Sequence, residues 1–309
     1  MKNRNSVIGA FAIIIAASLW GLDGVALTPQ LFNLMPNTGF IVFLLHLTPF
    51  ALMNLYLHKE YRHLKTFTKK DVLVFLLIGL FGGSLGTMSI VKALSLVQFQ
   101  HLSIVVLLQK LQPIFAIMLA YFLLKEKIRK GFFVWALVAV LASYTLTFGF
   151  QLPHLNTDTN LFQASLWAIL AAFSFGSSTV FSKMALKKFS FYTTNFYRFG
   201  FTTMIMLIYV LITGTLGTFA NVTPRNWLFF FIIALTVGTA AAFLYYFGLN
   251  KVKAIVSTIC ELFFPISAIM FDYIINGKML SVVQWISAGI MITAILKISY
   301  RKEVKTVAR

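Results

Sequence analysis

Lys110 and Glu261 are the charged residues whose positions most strongly indicate chemistry. Each lies inside an apolar stretch, Lys110 three residues before Pro113 and Glu261 four residues before Pro265. An ionisable side chain at the centre of a membrane span costs about 2.5–3.5 kcal/mol and is by default a candidate for function. Two interpretations stay open. The side chains form a salt bridge between their helices, or a small zwitterion binds between them, its carboxylate toward Lys110 and its ammonium toward Glu261.

The two prolines, Pro113 and Pro265, add a second polar feature at the same places. A proline inside a helix removes one backbone hydrogen bond and frees a carbonyl one turn earlier. A freed carbonyl is tolerated in a membrane where it lines a cavity or meets a polar partner. A simple packing kink is the alternative. Gln109 and Gln112 flank Lys110 and are candidates to hydrogen-bond a ligand.

Four other residues are candidates for the same site. Asp23 lies near the outer end of the first apolar stretch, and together with Glu261 it is a candidate proton-coupling group. The alternative for Asp23 is contact with the lipid headgroups. Trp20, Tyr245 and Tyr246 can stack on a ligand through their aromatic rings, and ordinary packing is the alternative for each of them.

The composition excludes a soluble enzyme and a disordered chain. Of 309 residues, 59% are hydrophobic and 11% are charged. A soluble domain has roughly 45–50% apolar residues and about 25% charged residues. The single cysteine, Cys260, excludes an intramolecular disulfide and a cysteine-based zinc site. The five histidines lack metal-ligand spacing. The sequence therefore predicts no metal and no cofactor.

Ten apolar stretches are long enough to cross a bilayer, which requires about 20 residues. They are continuous rather than alternating, which favours helices over a barrel. We therefore predict an all-α polytopic membrane protein with ten transmembrane helices. The stretches are Val7–Leu27, Gly39–Leu57, Val72–Val91, Ser103–Leu124, Gly131–Phe150, Leu161–Leu186, Thr193–Leu216, Trp227–Leu249, Ile255–Ile275 and Val282–Tyr300.

The basic residues predict the orientation. With a cytoplasmic N-terminus, most of the 26 Lys and Arg residues fall in cytoplasmic segments, and only Lys92, Arg225 and Lys278 fall outside. This is a strong positive-inside signal, and it predicts a multi-pass protein of the plasma membrane with both termini cytoplasmic. Charge spread over one membrane face suits anionic lipid as a partner and argues against nucleic acid. We expect the first stretch to remain as an uncleaved helix.

An internal repeat divides the chain. Residues 103–128 match residues 255–280, with Pro113 aligned to Pro265, and Trp20-Gly21 matches Phe175-Gly176 at nearly the same offset. The predicted halves are residues 1–152 and 153–309, in one integral membrane unit. Five helices per half is an odd number, so the second half enters the membrane upside down. Such inverted repeats build carriers with a site near the midplane between the halves.

The third stretch carries Gly79, Gly82, Gly83 and Gly86. Their spacing predicts close approach of another helix backbone. The segment also matches the G-x-S-x-G motif of hydrolases, but that motif requires a strand-to-helix turn and lacks that context here.

With these features the sequence resembles the EamA family of the drug/metabolite transporter superfamily over essentially its whole length. The resemblance rests on the two repeats, on Leu19-Trp20-Gly21, and on Gln112-Pro113 followed by Leu124-Lys125-Glu126-Lys127. Gly277-Lys278 departs from the family, where Gly-Glu is common. Arg198 fits the arginine near the start of the family's seventh helix, while the second helix offers only Phe43 and His46. By its position, Arg198 is expected to extend to the cytoplasm.

The resemblance implies a carrier whose site is enclosed by helices 1–4 and 6–9, with helices 5 and 10 peripheral, and small metabolites such as amino acids as substrates. We therefore predict a secondary active transporter, not an enzyme, that exports a small polar or zwitterionic, amino-acid-like metabolite by alternating access, with protons as a candidate coupling ion. The alternatives are a membrane-embedded lipid-modifying enzyme, for which the sequence shows no cluster of His, Asp or Ser near one interface, and a channel or structural protein without carrier activity.

Overall fold

The structure, a computed structural model, describes residues 2–35, 37–97, 105, 108–126, 130–150, 159–277 and 281–300. Within these ranges every regular element is helical. The helices are α1 (Lys2–Leu22, the π-helical segment Asp23–Leu27 and Thr28–Leu34), α2 (Thr38–Leu57), α3 (Lys69–Ile78, the π-helical segment Gly79–Leu85 and Gly86–Leu96), α4 (Gln112–Leu124), α5 (Lys130–Phe148), α6 (Thr159–Ala185), α7 (Phe191–Ile212), α8 (Pro224–Ile233, the π-helical segment Ala234–Ala241 and Ala242–Lys251), α9 (Ala254–Cys260 and Phe263–Asn276) and α10 (Val282–Tyr300). Two 3₁₀ segments, His58–Thr66 and Thr215–Asn221, follow α2 and α7.

Seven of these helices are long and apolar enough to cross a membrane, namely α1, α2, α3, α6, α7, α8 and α9. Three shorter apolar helices, Gln112–Leu124, Gly131–Leu146 and Val282–Ile298, belong to α4, α5 and α10. The fold is therefore that of a polytopic helical membrane protein. The count of ten spans stays a prediction, because most of residues 101–107, where the fourth span is predicted to begin, lie outside the described residues.

The distribution of side chains is that of a protein surrounded by lipid. Large apolar side chains such as Leu55, Phe122 and Ile274 are more than half exposed, whereas Thr194 and Ser257 are completely buried. Hydrocarbon solvates apolar side chains but cannot hydrogen-bond polar ones. The polar groups of the bundle therefore lie inside it.

A close contact between helices recurs at aligned glycines of the two halves. A Cβ at Gly21 of α1 would lie 2.8 Å from the Ala268 backbone nitrogen of α9. A Cβ at Gly176 of α6 would lie 2.8 Å from the Gln112 carbonyl oxygen and 3.0 Å from the Ala116 backbone nitrogen of α4. Both positions require glycine, since a real Cβ does not approach backbone so closely. The aligned Gly21 and Gly176 thus make aligned contacts, α1 with α9 and α6 with α4.

The irregular backbone also recurs in both halves. A π-helical segment interrupts α3 at Gly79–Leu85 and α8 at Ala234–Ala241. Helix α4 ends at Lys125, with φ of 53°, and α9 ends at the aligned Gly277, with φ of 68°. Matched irregularities of this kind are what an internal repeat predicts. The inverted orientation of the second half, and the boundary at residue 152, stay predictions.

Candidate functional site

Lys110 and Glu261 lie at two helix breaks. The helical turn stops at Lys110 and Leu111 before α4 begins, and α9 is interrupted at Glu261 and Leu262. Each break is one turn before the proline of its helix. Proline has no backbone N–H, so a carbonyl at the break loses its hydrogen bond. Discontinuous helices build the substrate sites of many carriers, because unwound backbone is tolerated where it lines a cavity. The breaks therefore locate the candidate site between α4 and α9.

The Glu261 carboxylate accepts two side-chain hydrogen bonds. Its Oε2 accepts from Gln112 Nε2 at 2.7 Å, and its Oε1 accepts from Ser257 Oγ at 3.1 Å. Both Glu261 and Gln112 are half-buried. The Gln112 bond crosses from α4 to α9, so it joins the two broken helices at their breaks.

Lys110 makes a different contact from the salt bridge that the sequence left open. Its side chain is 8% exposed, and its Nζ lies 4.0 Å from the centre of the Phe264 ring. A cation over an aromatic face is attracted by the ring quadrupole. Among the described residues, no carboxylate lies within 4.0 Å of this ammonium. In this conformation Lys110 and Glu261 are therefore not an ion pair, and Lys110 keeps the capacity to bind a polar ligand group.

The predicted aromatic residues come together beside Glu261. The Trp20 and Tyr245 rings are tilted, with centroids 5.3 Å apart. The Tyr245 hydroxyl is 2.9 Å from Thr179 Oγ1 and interacts with the Glu261 carboxylate. Trp20 is half-buried and packs against the core beside α8 and α9. This pair forms one aromatic wall of the site.

Two further predicted residues lie next to these groups. Tyr246 is fully buried, and its hydroxyl is 2.9 Å from Ser182 Oγ, so it mainly fastens α8 to α6. Gln109 is half-buried and directly precedes Lys110 at the break. Gln109 therefore stays a candidate ligand contact, whereas the packing alternative describes Tyr246 in this conformation.

Asp23 lies in the π-helical segment of α1. Its Oδ2 accepts a hydrogen bond from Thr28 Oγ1 at 2.9 Å. Its Oδ1 is buried and has no hydrogen-bond partner among the described residues. An unpartnered buried carboxylate oxygen is unfavourable, so it is a place where a proton or another donor would be stabilised.

Arg198 lies in a place that the sequence did not predict. The structure does not extend it to the cytoplasm: its side chain is half-buried, and Nη2 lies 3.5 Å from the Gly82 carbonyl oxygen. The guanidinium is 5.0 Å from the Phe199 ring. The signal in the sequence was the presence of an arginine within an apolar span. The structure shows that it contacts the glycine-rich segment of α3.

A bundle of apolar helices, with charged residues at two facing helix breaks and an aromatic pair beside them, has the architecture of an α-helical membrane transporter. The family model described as "EamA-like transporter family" matches residues 7–148 and 163–300. The chain belongs to the EamA-like transporter family. The resemblance seen in the sequence is confirmed, and the protein is a membrane transporter rather than an enzyme.

Known relatives agree with this assignment. The chain is 52% identical over 296 residues to the riboflavin transporter ImpX of Fusobacterium nucleatum subsp. nucleatum (strain ATCC 23726 / VPI 4351), covering 96% of this chain and 98% of the relative. It is 24% identical over 264 residues to the uncharacterized transporter YoaV of Bacillus subtilis (strain 168), covering 85% of this chain and 86% of the relative. A solved crystal structure shares the fold, with a TM-score of 0.68 at 14% identity over 94% of this chain and 95% of that chain.

Proposed function

We propose that this protein carries riboflavin across the plasma membrane by alternating access. The observation that carries the proposal is the Trp20–Tyr245 pair beside the hydrogen-bonded Gln112 and Glu261, in a chain 52% identical to a riboflavin transporter. Riboflavin has a flat tricyclic ring, a polar edge with two carbonyls flanking an N–H, and a chain of hydroxyls. An aromatic wall next to a carboxamide and a carboxylate offers contacts to each of these parts.

The polar edge of the ring fits the groups at the helix breaks. The Gln112 amide supplies donors for a carbonyl, and the Glu261 carboxylate accepts from an N–H or a hydroxyl. Lys110 supplies a further donor, since no carboxylate of the described residues lies within 4.0 Å of its ammonium. For this substrate to bind, the ligand must replace the Gln112–Glu261 bond with its own contacts.

A small zwitterionic metabolite is the second candidate substrate. It is favoured by the opposite charges of Lys110 and Glu261 at the two breaks. Export, which the sequence analysis expected for such metabolites, stays a prediction for either substrate.

Ligand-induced stabilisation distinguishes the two substrates. A ligand at 100 times its dissociation constant adds about 2.7 kcal/mol to the stability of the folded protein. We expect riboflavin to raise the melting temperature of the purified transporter and a panel of amino acids to leave it unchanged. Stabilisation by an amino acid without stabilisation by riboflavin would replace the flavin proposal with the zwitterion.

We also propose that the second half is inverted in the membrane and that both termini are cytoplasmic. Reporter fusions test this at three positions: His63, in the segment after α2, and Asn156 and Arg309, which lie outside the described residues. We expect cytoplasmic signals at His63 and Arg309 and an external signal at Asn156, because the segment around Asn156 joins the halves. A cytoplasmic signal at Asn156 would overturn the inverted arrangement.

A further inference from the structure

The turn between α8 and α9 brings a helix C-terminus and a helix N-terminus together. Helix α8 ends at Lys251 and α9 begins at Ala254; we refer to this turn and the adjoining helix ends as the α8–α9 hairpin. The residue before α9, Lys253, provides no side-chain cap. The first backbone N–H groups of a helix and its last carbonyls lack partners within the helix. Both ends at this turn therefore require partners from elsewhere.

Glu126 supplies the partner for the start of α9. Its Oε1 accepts from the Ala254 backbone N–H at 3.0 Å, and its Oε2 accepts from the Ile255 N–H at 3.2 Å. A carboxylate at a helix N-terminus is also favoured by the helix dipole. Glu126 lies two residues after the last residue of α4, Leu124, so this contact ties the end of α4 to the hairpin.

Lys183 supplies the partner for the end of α8. Its Nζ donates to the Leu249 carbonyl at 2.7 Å and to the Asn250 carbonyl at 3.1 Å. A cation at a helix C-terminus is the favourable counterpart of an anion at the N-terminus. Lys183 belongs to α6, so the hairpin is held from two sides, by α4 in the first half and α6 in the second.

The aligned positions of the other repeat lack these charges. Lys125 aligns with Gly277, and both are in the left-handed conformation. In the same alignment, Glu126 corresponds to Lys278, which lies outside the described residues. A lysine has no acceptor for a backbone N–H. The alignment of Gly21 with Gly176 pairs Lys183 with Thr28, whose hydroxyl donates to Asp23 instead. The sequence therefore does not provide the same pair of charges at the aligned positions of the other repeat.

From these contacts we propose that Glu126 and Lys183 act as a clamp on the α8–α9 hairpin, which closes this end of the transporter. The clamp opens in the step that exposes the site at this end. The proposal rests on the proposed alternating access and is independent of the identity of the substrate. Because Glu126 and Lys183 together make four hydrogen bonds to the hairpin backbone, the state with the hairpin closed is the favoured resting state.

Distance measurements between spin labels test the clamp on the intact transporter without substrate. Labels at Lys187→Cys and Asn250→Cys, in a Cys260→Ser background, report the distance from the end of α6 to the hairpin. Both side chains are exposed, and Asn250 contacts Lys183 through its carbonyl alone. We expect one dominant short distance, and a growing population at longer distance in Glu126→Gln, Lys183→Met and, most strongly, Glu126→Ala.

Asp71→Asn is the matched control, because Asp71 pairs with Lys188 and caps α3 through Thr68 without contacting the hairpin. We expect this variant to keep the wild-type distances. If Glu126→Ala does not fold, Glu126→Gln and Lys183→Met carry the test alone. Folded clamp variants with wild-type distances would overturn the clamp whatever the substrate proves to be. If the clamp variants show shifted distances but the wild-type protein does not transport riboflavin, the clamp is supported and the proposed function is refuted.

Discussion

Gln112 donates a 2.7 Å hydrogen bond to Glu261 and thereby joins the broken helices α4 and α9 at the level of their breaks. The bond connects an amide of the first half with a carboxylate of the second. A hydrogen bond to a charged group contributes about 1.5–3 kcal/mol, so this contact stabilises the conformation in which α4 and α9 are joined at their breaks. A ligand that binds between the halves has to replace it.

Removing the amide should weaken substrate binding more than folding. In Gln112→Leu we expect the KM for riboflavin to rise about tenfold, because the ligand loses a donor and Glu261 loses a partner. Initial rates of flavin uptake into proteoliposomes give this value. Gln284→Leu is the matched control, since Gln284 donates to the Leu146 carbonyl between α10 and α5, away from the site. Equal KM changes in the two variants would argue against a ligand contact at Gln112.

The aromatic wall makes a prediction about stacking. Trp20→Leu should lower riboflavin affinity about two- to tenfold, which corresponds to the 0.5–1.5 kcal/mol of an aromatic pair, and Trp20→Phe should retain most of it. Quenching of the flavin fluorescence on binding measures both effects. The matched control is Trp135→Leu, at the groove between α5 and α10. Unchanged riboflavin affinity in Trp20→Leu would show that the flavin ring does not stack on Trp20.

The charges at the breaks can be exchanged. Because Lys110 and Glu261 are not within ion-pair distance in this conformation, we expect the double variant Lys110→Glu with Glu261→Lys to fold but to be inactive. Size-exclusion chromatography and transport assays check the two parts of this expectation. If the exchange restores folding and transport together, the two residues act only as a structural pair.

Glu261 is the first candidate for proton coupling, since it lies at a helix break and faces the site. Glu261→Gln mimics the protonated carboxyl, so it should abolish the pH dependence of net transport and partly preserve exchange at equal substrate concentrations. Measuring both between acidic and alkaline pH separates coupling from binding. A variant with wild-type pH dependence would move the test to Asp23→Asn, whose Oδ1 lacks a partner among the described residues.

The features set by local sequence were predictable. Continuous apolar stretches indicated membrane helices, and Pro113 and Pro265 marked the turns where α4 and α9 break. The predicted close approach at the glycine-rich segment of α3 is also present, since a Cβ at Gly79 would lie 3.0 Å from the Thr202 backbone nitrogen. Each of these depends on residue type and spacing along one helix.

The features that depend on helix rotation were not predictable. A π-helical turn adds a residue and changes which side chains share a face, and π-helical segments interrupt α3 and α8. Hydropathy does not reveal them. Two contacts also differ from the expectation: the partner of Glu261 is Gln112 rather than Lys110 in this conformation, and Arg198 lies against α3 instead of at the cytoplasmic surface.

The most direct test of the central claim is counterflow of labelled riboflavin in proteoliposomes that contain the purified protein and are preloaded with unlabelled riboflavin. A carrier with this site should accumulate label transiently and saturably, and Trp20→Leu should reduce the effect while Trp135→Leu does not. An amino acid preload should give no accumulation of labelled riboflavin. Absence of riboflavin counterflow in a folded preparation that exchanges amino acids would contradict the account.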